Sequence, residues 1–245
     1  KGSVVVKGDE VHVIDAATPE RVLDTTGAGD LYAAGFLRGL TMGLPLARCG
    51  ELAGACAATI IAQYGARAEK PLLPLLDQVR RAVAWVAKNA REFGGDPSRL
   101  YVLGHSSGGH LSGCVCVTDW TQHGLPATGV IKGAVLCSGM YDLTPVRLSK
   151  RSKYVNFTDE MVEKLSSIRH IDRISFPLVV GYGTCETPEF QRQAREFSAA
   201  LSKAGKQHEL IVGEGYNHFE MFETFFNPYG LIGREILKLM GLGRG

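Results

Sequence analysis

The stretch Leu103-Gly104-His105-Ser106-Ser107-Gly108-Gly109-His110 decides how the rest of the chain is read. It follows an apolar run, Leu100 to Leu103, and leads into a helical pattern, so it predicts a strand, a sharp turn and a helix. In that setting a Gly-x-Ser-x-Gly match has chemical meaning. The turn drives its central residue into strained backbone angles and presents the hydroxyl at the carboxyl end of a strand, and the flanking glycines leave room for it. Ser106, between Gly104 and Gly108, is the residue in frame. Ser107 would need a glycine where the sequence has His105.

Working outward, apolar runs alternate with helical patterns. Val79, Val83, Val86, Ala87 and Ala90 share one helix face, and Asp96-Pro97-Ser98-Arg99 is turn chemistry that hands the chain to the strand before Ser106. Beyond it come a helix over 108–117, a buried strand over 130–137, and a charged, irregular excursion from Leu143 to Arg173 with a helix near 159–165. A strand over 176–182, a helix over 188–204, a strand over 209–212 and a last helix within 220–240 complete the pattern. The expected fold class is α/β: a mostly parallel sheet flanked by helices, with active groups at the carboxyl ends of strands.

Those ends supply partners for Ser106. His218 follows the last predicted strand, and imidazole is the natural base for a serine because it titrates near neutrality. Glu186 follows the preceding strand, where a carboxylate could orient that imidazole. The order serine, acid, histidine is that of an α/β-hydrolase. Asp142, at the end of the strand after the Ser106 helix, ranks second as the acid. Glu189 ranks third, because the first turn of a helix favours a carboxylate for structural reasons alone. His105 and His110 read as framework residues.

Composition excludes other classes. The 245 residues suffice for one large α/β domain or two small ones, and a net charge of +2 without a basic run argues against nucleic acid and anionic membranes. No apolar run approaches a spanning helix, and the start at Lys1, without Met, resembles no signal peptide and reads as a fragment or processed product. The six cysteines have no zinc spacing and read as buried reduced thiols of a cytoplasmic protein. No cofactor or metal is called for.

The first 70 residues differ in kind. Val-rich runs at Ser3 to Val6 and Val11 to Ile14, separated by Lys7-Gly8-Asp9-Glu10, predict a hairpin. Asp24-Thr25-Thr26-Gly27-Ala28-Gly29-Asp30 then opens one helix, and a second, rich in Ala and Gly, runs from about Leu46 to Tyr64. Free N–H groups of Gly27, Ala28 and Gly29 at a helix start suit an anion, and Asp30 could serve as a base. This motif and helix pair resemble ribokinase-like carbohydrate kinases, in which the loop forms an anion hole and the aspartate is the catalytic base. The match spans about residues 1–69. The sugar-binding residues and lid of that family have no counterpart, so the loop reads as vestigial.

From Leu76 to Met240 the chain is similar to esterases of the kynurenine formamidase-like group of α/β-hydrolases. The segments that carry this are Gly-Gly-Asp-Pro-Ser-Arg-Leu, Gly-His-Ser-Ser-Gly-Gly-His, Ser-Gly-Met-Tyr-Asp-Leu-Thr-Pro-Val-Arg-Leu-Ser, Glu-Thr-Pro-Glu-Phe-Gln-Arg-Gln and Tyr-Asn-His-Phe-Glu. The resemblance implies an acyl-enzyme mechanism on small or aryl esters and N-formyl amides, with Ser106, Glu186 and His218 at the triad positions. The group most often has Asp where Glu186 stands. Its His-Gly-Gly loop, half of the oxyanion hole, is missing before Ser106, which leaves the Ser107 N–H as the identifiable donor.

The chain therefore resembles a chimera: a kinase-like hairpin and helix pair over residues 1–70, joined at Glu69-Lys70-Pro71-Leu72-Leu73-Pro74 to a hydrolase domain over 71–245 without its usual N-terminal strands. Two expectations follow. A hairpin strand, or another copy of the chain in a homo-oligomer, should pair with the otherwise exposed Ser106 strand. The Gly27–Gly29 loop could supply the second oxyanion donor. Against the hydrolase reading stand a sugar phosphotransferase, a catalytically dead scaffold and a recombined fusion.

Overall fold

The computed structural model describes residues 2–19, 21–62, 72–153 and 155–243. The chain forms two compact units, Lys1–Lys70 and Pro71–Gly245. Residues 69–71 of the predicted junction, and Tyr64 at the end of the second predicted helix, lie outside the described residues.

In the first unit β1 (Ser3–Lys7) and β2 (Glu10–Ile14) pair antiparallel around a turn in which Gly8 takes a φ of +59°. Alternation gives the hairpin one inward row, with Val5 and Ile14 buried, while Val4, Val6, Val11 and Val13 stay exposed. The helices α1 (Ala28–Thr41) and α2 (Leu46–Ile61) pack closely because small residues meet: a Cβ on Gly35 would lie 2.9 Å from the Ala53 Cα. Gly27, at φ +81°, is the residue before α1, and Asp30 is exposed in its first turn.

The second unit holds a parallel sheet in the order β3 (Tyr101–His105), β4 (Gly133–Cys137), β5 (Leu178–Gly183), β6 (His208–Gly213). Helices α3 (Leu72–Asn89), α4 (Ser107–Cys116), α5 (Thr144–Arg147), α6 (Asp159–Leu165), α7 (Pro188–Lys203), α8 (His218–Glu223) and α9 (Gly233–Leu239) surround it. The central strands are apolar without interruption because both faces are covered. Ala134, Leu136, Leu178 and Val180 pack with Phe197 and Tyr141 on one face, and Val135, Cys137 and Val179 with Met221 and Ile232 on the other.

Several expectations are corrected. The last predicted helix is two: α8 passes through a 3-10 turn at Thr224–Phe226, the chain breaks at Asn227-Pro228, and α9 starts at Gly233, where a Cβ would lie 2.0 Å from the Asn227 carbonyl oxygen. The predicted strand over 130–137 loses its first residues, because Val130 and Ile131 pack with Ala84, Val115 and Trp120 before the ladder begins. Among the described residues β1 and β2 pair with each other, and the second unit's sheet runs from β3 to β6. The hairpin's inward row is taken up by α2, where a Cβ on Gly50 would lie 2.7 Å from Ile14. Among the cysteines, Cys49, Cys114, Cys116 and Cys137 are buried free thiols, whereas Cys56 is half-buried and Cys185 exposed. Burial pushes the Cys114 and Cys137 thiols up to about 12, which makes them inert framework. No described helix is long and apolar enough to cross a membrane.

Candidate active site

Ser106 sits between β3 and α4 with φ 56° and ψ −120°, a strained conformation for a residue with a side chain. Two backbone bonds hold it there. Its N–H donates to the Cys137 carbonyl (3.0 Å), and its own carbonyl accepts from the His110 N–H (3.0 Å). The nearby glycines have unequal tasks. A Cβ on Gly104 would lie 2.1 Å from the Gly108 carbonyl oxygen, and one on Gly109 2.8 Å from the Cys137 carbonyl oxygen, whereas one on Gly108 would meet open space. The crowded positions are thus Gly104 and Gly109, not the pair flanking the serine in sequence. Ser107 is the first residue of α4, where N–H groups have no intrahelical acceptor.

His218 opens α8, which is fixed by a capping box: the Asn217 side chain accepts from the Phe219 (2.9 Å) and Glu220 (3.1 Å) N–H groups, and the Glu220 carboxylate accepts from the Asn217 N–H (2.7 Å). This start aims the imidazole at the elbow, and His218 Nε2 lies 2.9 Å from Ser106 Oγ. Glu186 lies in the turn between β5 and α7. That turn is tied to the His218 loop by Cys185 N–H to the Tyr216 carbonyl (3.0 Å) and Gly215 N–H to Thr184 Oγ1 (2.8 Å). The two loops are thereby joined, and Glu186 Oε1 comes within 3.5 Å of His218 Nδ1.

That approach is close enough for ionic attraction, and at 3.5 Å it is too long to give Nδ1 a hydrogen-bond partner. Glu186 Oε1 instead accepts a hydrogen bond from Ser138 Oγ. Ser138 is wholly buried at the carboxyl end of β4 and, with Ser106, is one of two non-glycine residues with positive φ among the described residues (52°). It was not singled out from the sequence. The signal available was its place, a hydroxyl at the same sheet end as the other three groups. The rival acids lie elsewhere. Asp142 Oδ1 accepts from the Thr144 N–H (2.9 Å) and lies 3.6 Å from Arg169. Glu189 is bridged by Arg192 (2.7 and 2.9 Å) and Gln193 (2.9 Å), and the Arg192 hydrogen bonds hold its carboxyl below the usual range.

His105 and His110 differ. His110 is framework, its Nε2 2.9 Å from the Leu165 carbonyl oxygen. His105 stacks at a tilt beneath His218, ring centres 4.5 Å apart, and burial followed by the His218 charge pushes it down to about 4. Aromatic rings wall the same place: Phe190 and Phe219 lie 4.7 and 5.8 Å from the His218 ring, and Phe222 lies 5.2 Å from His105. The assembly can move a proton between a hydroxyl and an imidazole beside a buried carboxylate.

Comparison with known proteins agrees with this architecture. Residues 51–201 match the BD-FAE family, and residues 1–72 match the pfkB family of carbohydrate kinases. The kynurenine formamidase of Danio rerio is 31% identical over 172 residues, 68% of this chain and 57% of that protein, so the chain spans little more than half of that relative. An uncharacterized sugar kinase of Archaeoglobus fulgidus is 46% identical over 72 residues, 29% of this chain and 28% of that protein. Among solved structures, the apo form of Thermogutta terrifontis esterase 2 superposes with a TM-score of 0.56 at 25% identity, covering 74% of this chain and 70% of that one. The acetyl ester-xyloside bifunctional hydrolase of Caldicellulosiruptor lactoaceticus shares the fold with a TM-score of 0.55 at 20% identity over 69% of this chain and 66% of that one. A strained serine elbow on a parallel sheet, a match over more than half of the chain and these neighbours agree: the chain belongs to the BD-FAE family, has an α/β-hydrolase fold, and carries a pfkB-like carbohydrate-kinase segment ahead of it.

Proposed function

We propose that this chain is a serine hydrolase that cleaves small or aryl esters and N-formyl amides through an acyl-enzyme. The observation that carries the reading is the 2.9 Å approach of His218 Nε2 to Ser106 Oγ in an elbow strained in the way a nucleophile requires. His218 takes the Ser106 proton as the hydroxyl oxygen attacks the carbonyl carbon. Glu186, fixed by Ser138, stabilises the imidazolium that results. The Ser107 N–H donates to the developing oxyanion, His218 returns the proton to the leaving group, and water releases the acyl group by the same steps.

The aromatic wall of Phe190, Phe219 and Phe222 supports a flat, apolar group on one side of the scissile bond. The likeness to the kynurenine formamidase of Danio rerio, of which this chain spans 57%, supports the N-formyl aryl amide class. With Ser107 as the assigned donor, turnover is lower than in a two-donor site by about 10²- to 10³-fold. The test is labelling with a fluorophosphonate together with hydrolysis of p-nitrophenyl acetate. Both are expected in the wild-type chain and lost in Ser106→Ala; labelling and hydrolysis that persist in Ser106→Ala would overturn the reading.

A further inference from the structure

Buried polar atoms without a partner each cost free energy, so native structures hold few of them. Among the described residues five buried side-chain atoms have no hydrogen-bond partner, and three of them, His105 Nε2, Glu186 Oε2 and His218 Nδ1, belong to one cluster. One donor atom from each of these residues lies within 4.8 Å of the other two. Two imidazoles and a carboxylate form the ligand set that zinc takes in open, three-ligand sites, with room for water in a fourth position. Zinc bonds of about 2.0–2.2 Å place tetrahedral ligands about 3.3–3.5 Å apart. His218 Nδ1 lies 3.5 Å from Glu186 Oε1, the oxygen that also accepts from Ser138, which meets that spacing, and His105, within 4.8 Å of both residues, must move closer to bind.

We propose that His105, Glu186 and His218 bind a zinc ion that silences Ser106. Zinc on His218 Nδ1 occupies that nitrogen's lone pair. The one proton of the neutral imidazole then resides on Nε2, the nitrogen facing Ser106, where it donates to Oγ and cannot accept the serine's proton. The same ion neutralises Glu186, which can no longer stabilise an imidazolium. The inhibitory consequence rests on the serine-hydrolase reading, whereas the binding does not.

Zinc binding is measured on the full chain by competition with a chromophoric chelator, with thermal melting of each variant to verify folding. One ion per chain is expected for wild type and for Ser106→Ala, with affinity at least about tenfold weaker in His105→Gln. Cobalt added in place of zinc should give visible d–d bands in wild type that His105→Gln lacks. In the p-nitrophenyl acetate assay zinc should inhibit wild type, a chelator should restore it, and His105→Gln should resist when compared with its own metal-free rate. Absence of binding in wild type, or equal affinity in a folded His105→Gln, overturns the site. Binding lost in His105→Gln from a chain that hydrolyses nothing supports the site and instead removes the hydrolase reading.

Discussion

The Ser138 hydroxyl donates to Oε1 of Glu186, joining a strained residue at the end of β4 to the carboxylate that faces His218. Glu186 is buried, and its other oxygen has no partner, so this hydroxyl is the hydrogen bond that fixes its position. A hydrogen bond to a charged group contributes about 1.5–3 kcal/mol, equivalent to roughly ten- to a hundredfold in rate when lost only in the transition state. Ser138→Ala should therefore lower kcat by about that factor with KM little changed. A fall in KM-limited binding with kcat intact would contradict the role.

The choice of acid is open to a paired test. Glu186→Gln keeps the shape but removes the charge that stabilises the imidazolium, and kcat should fall by about 10³- to 10⁴-fold. Asp142→Asn should leave kcat within about threefold and lower the melting temperature, because Asp142 caps the Thr144 N–H and attracts Arg169.

The elbow glycines separate in the same way. Gly104→Ala places a methyl 2.1 Å from backbone at Gly108 and should cost enough stability to abolish soluble expression or drop the melting temperature by many degrees. Gly108→Ala meets open space in the first turn of α4 and should be neutral or stabilising by up to about 1 kcal/mol. Chemical denaturation of the two variants reads the difference.

His105 makes stability depend on pH. Its imidazole titrates at 6.5 unperturbed and about 4 in the fold, where it faces His218 and Glu186, so acid favours the unfolded chain. This contribution is fully present above 6.5, falls away as the pH drops from 6.5 towards 4, and is constant below that. Denaturant midpoints across this window should decline less in His105→Gln than in wild type.

Much of this was legible in the sequence because the determinants are local. The Gly-x-Ser-x-Gly turn and the unbroken apolar runs of β4 and β5 each act within a few residues, so strand, elbow and helix could be read in order. The break between α8 and α9 has a local signal too, because proline in Asn227-Pro228 cannot continue a helix, but the apolar residues on both sides follow a helical pattern that masks it.

Sequence by itself determined that Ser106 stands in a Gly-x-Ser-x-Gly turn between a strand and a helix, that Glu186 and His218 follow successive strands, and that a kinase-like segment precedes the hydrolase-like one. Only the tertiary structure decided that Glu186, rather than Asp142 or Glu189, lies beside His218, that Ser138 holds it, and that His105 joins the two in one cluster. The physical reason is register. Four parallel strands align their carboxyl ends, so residues separated by up to 113 positions, from His105 to His218, become neighbours through ladder pairing that no local pattern encodes.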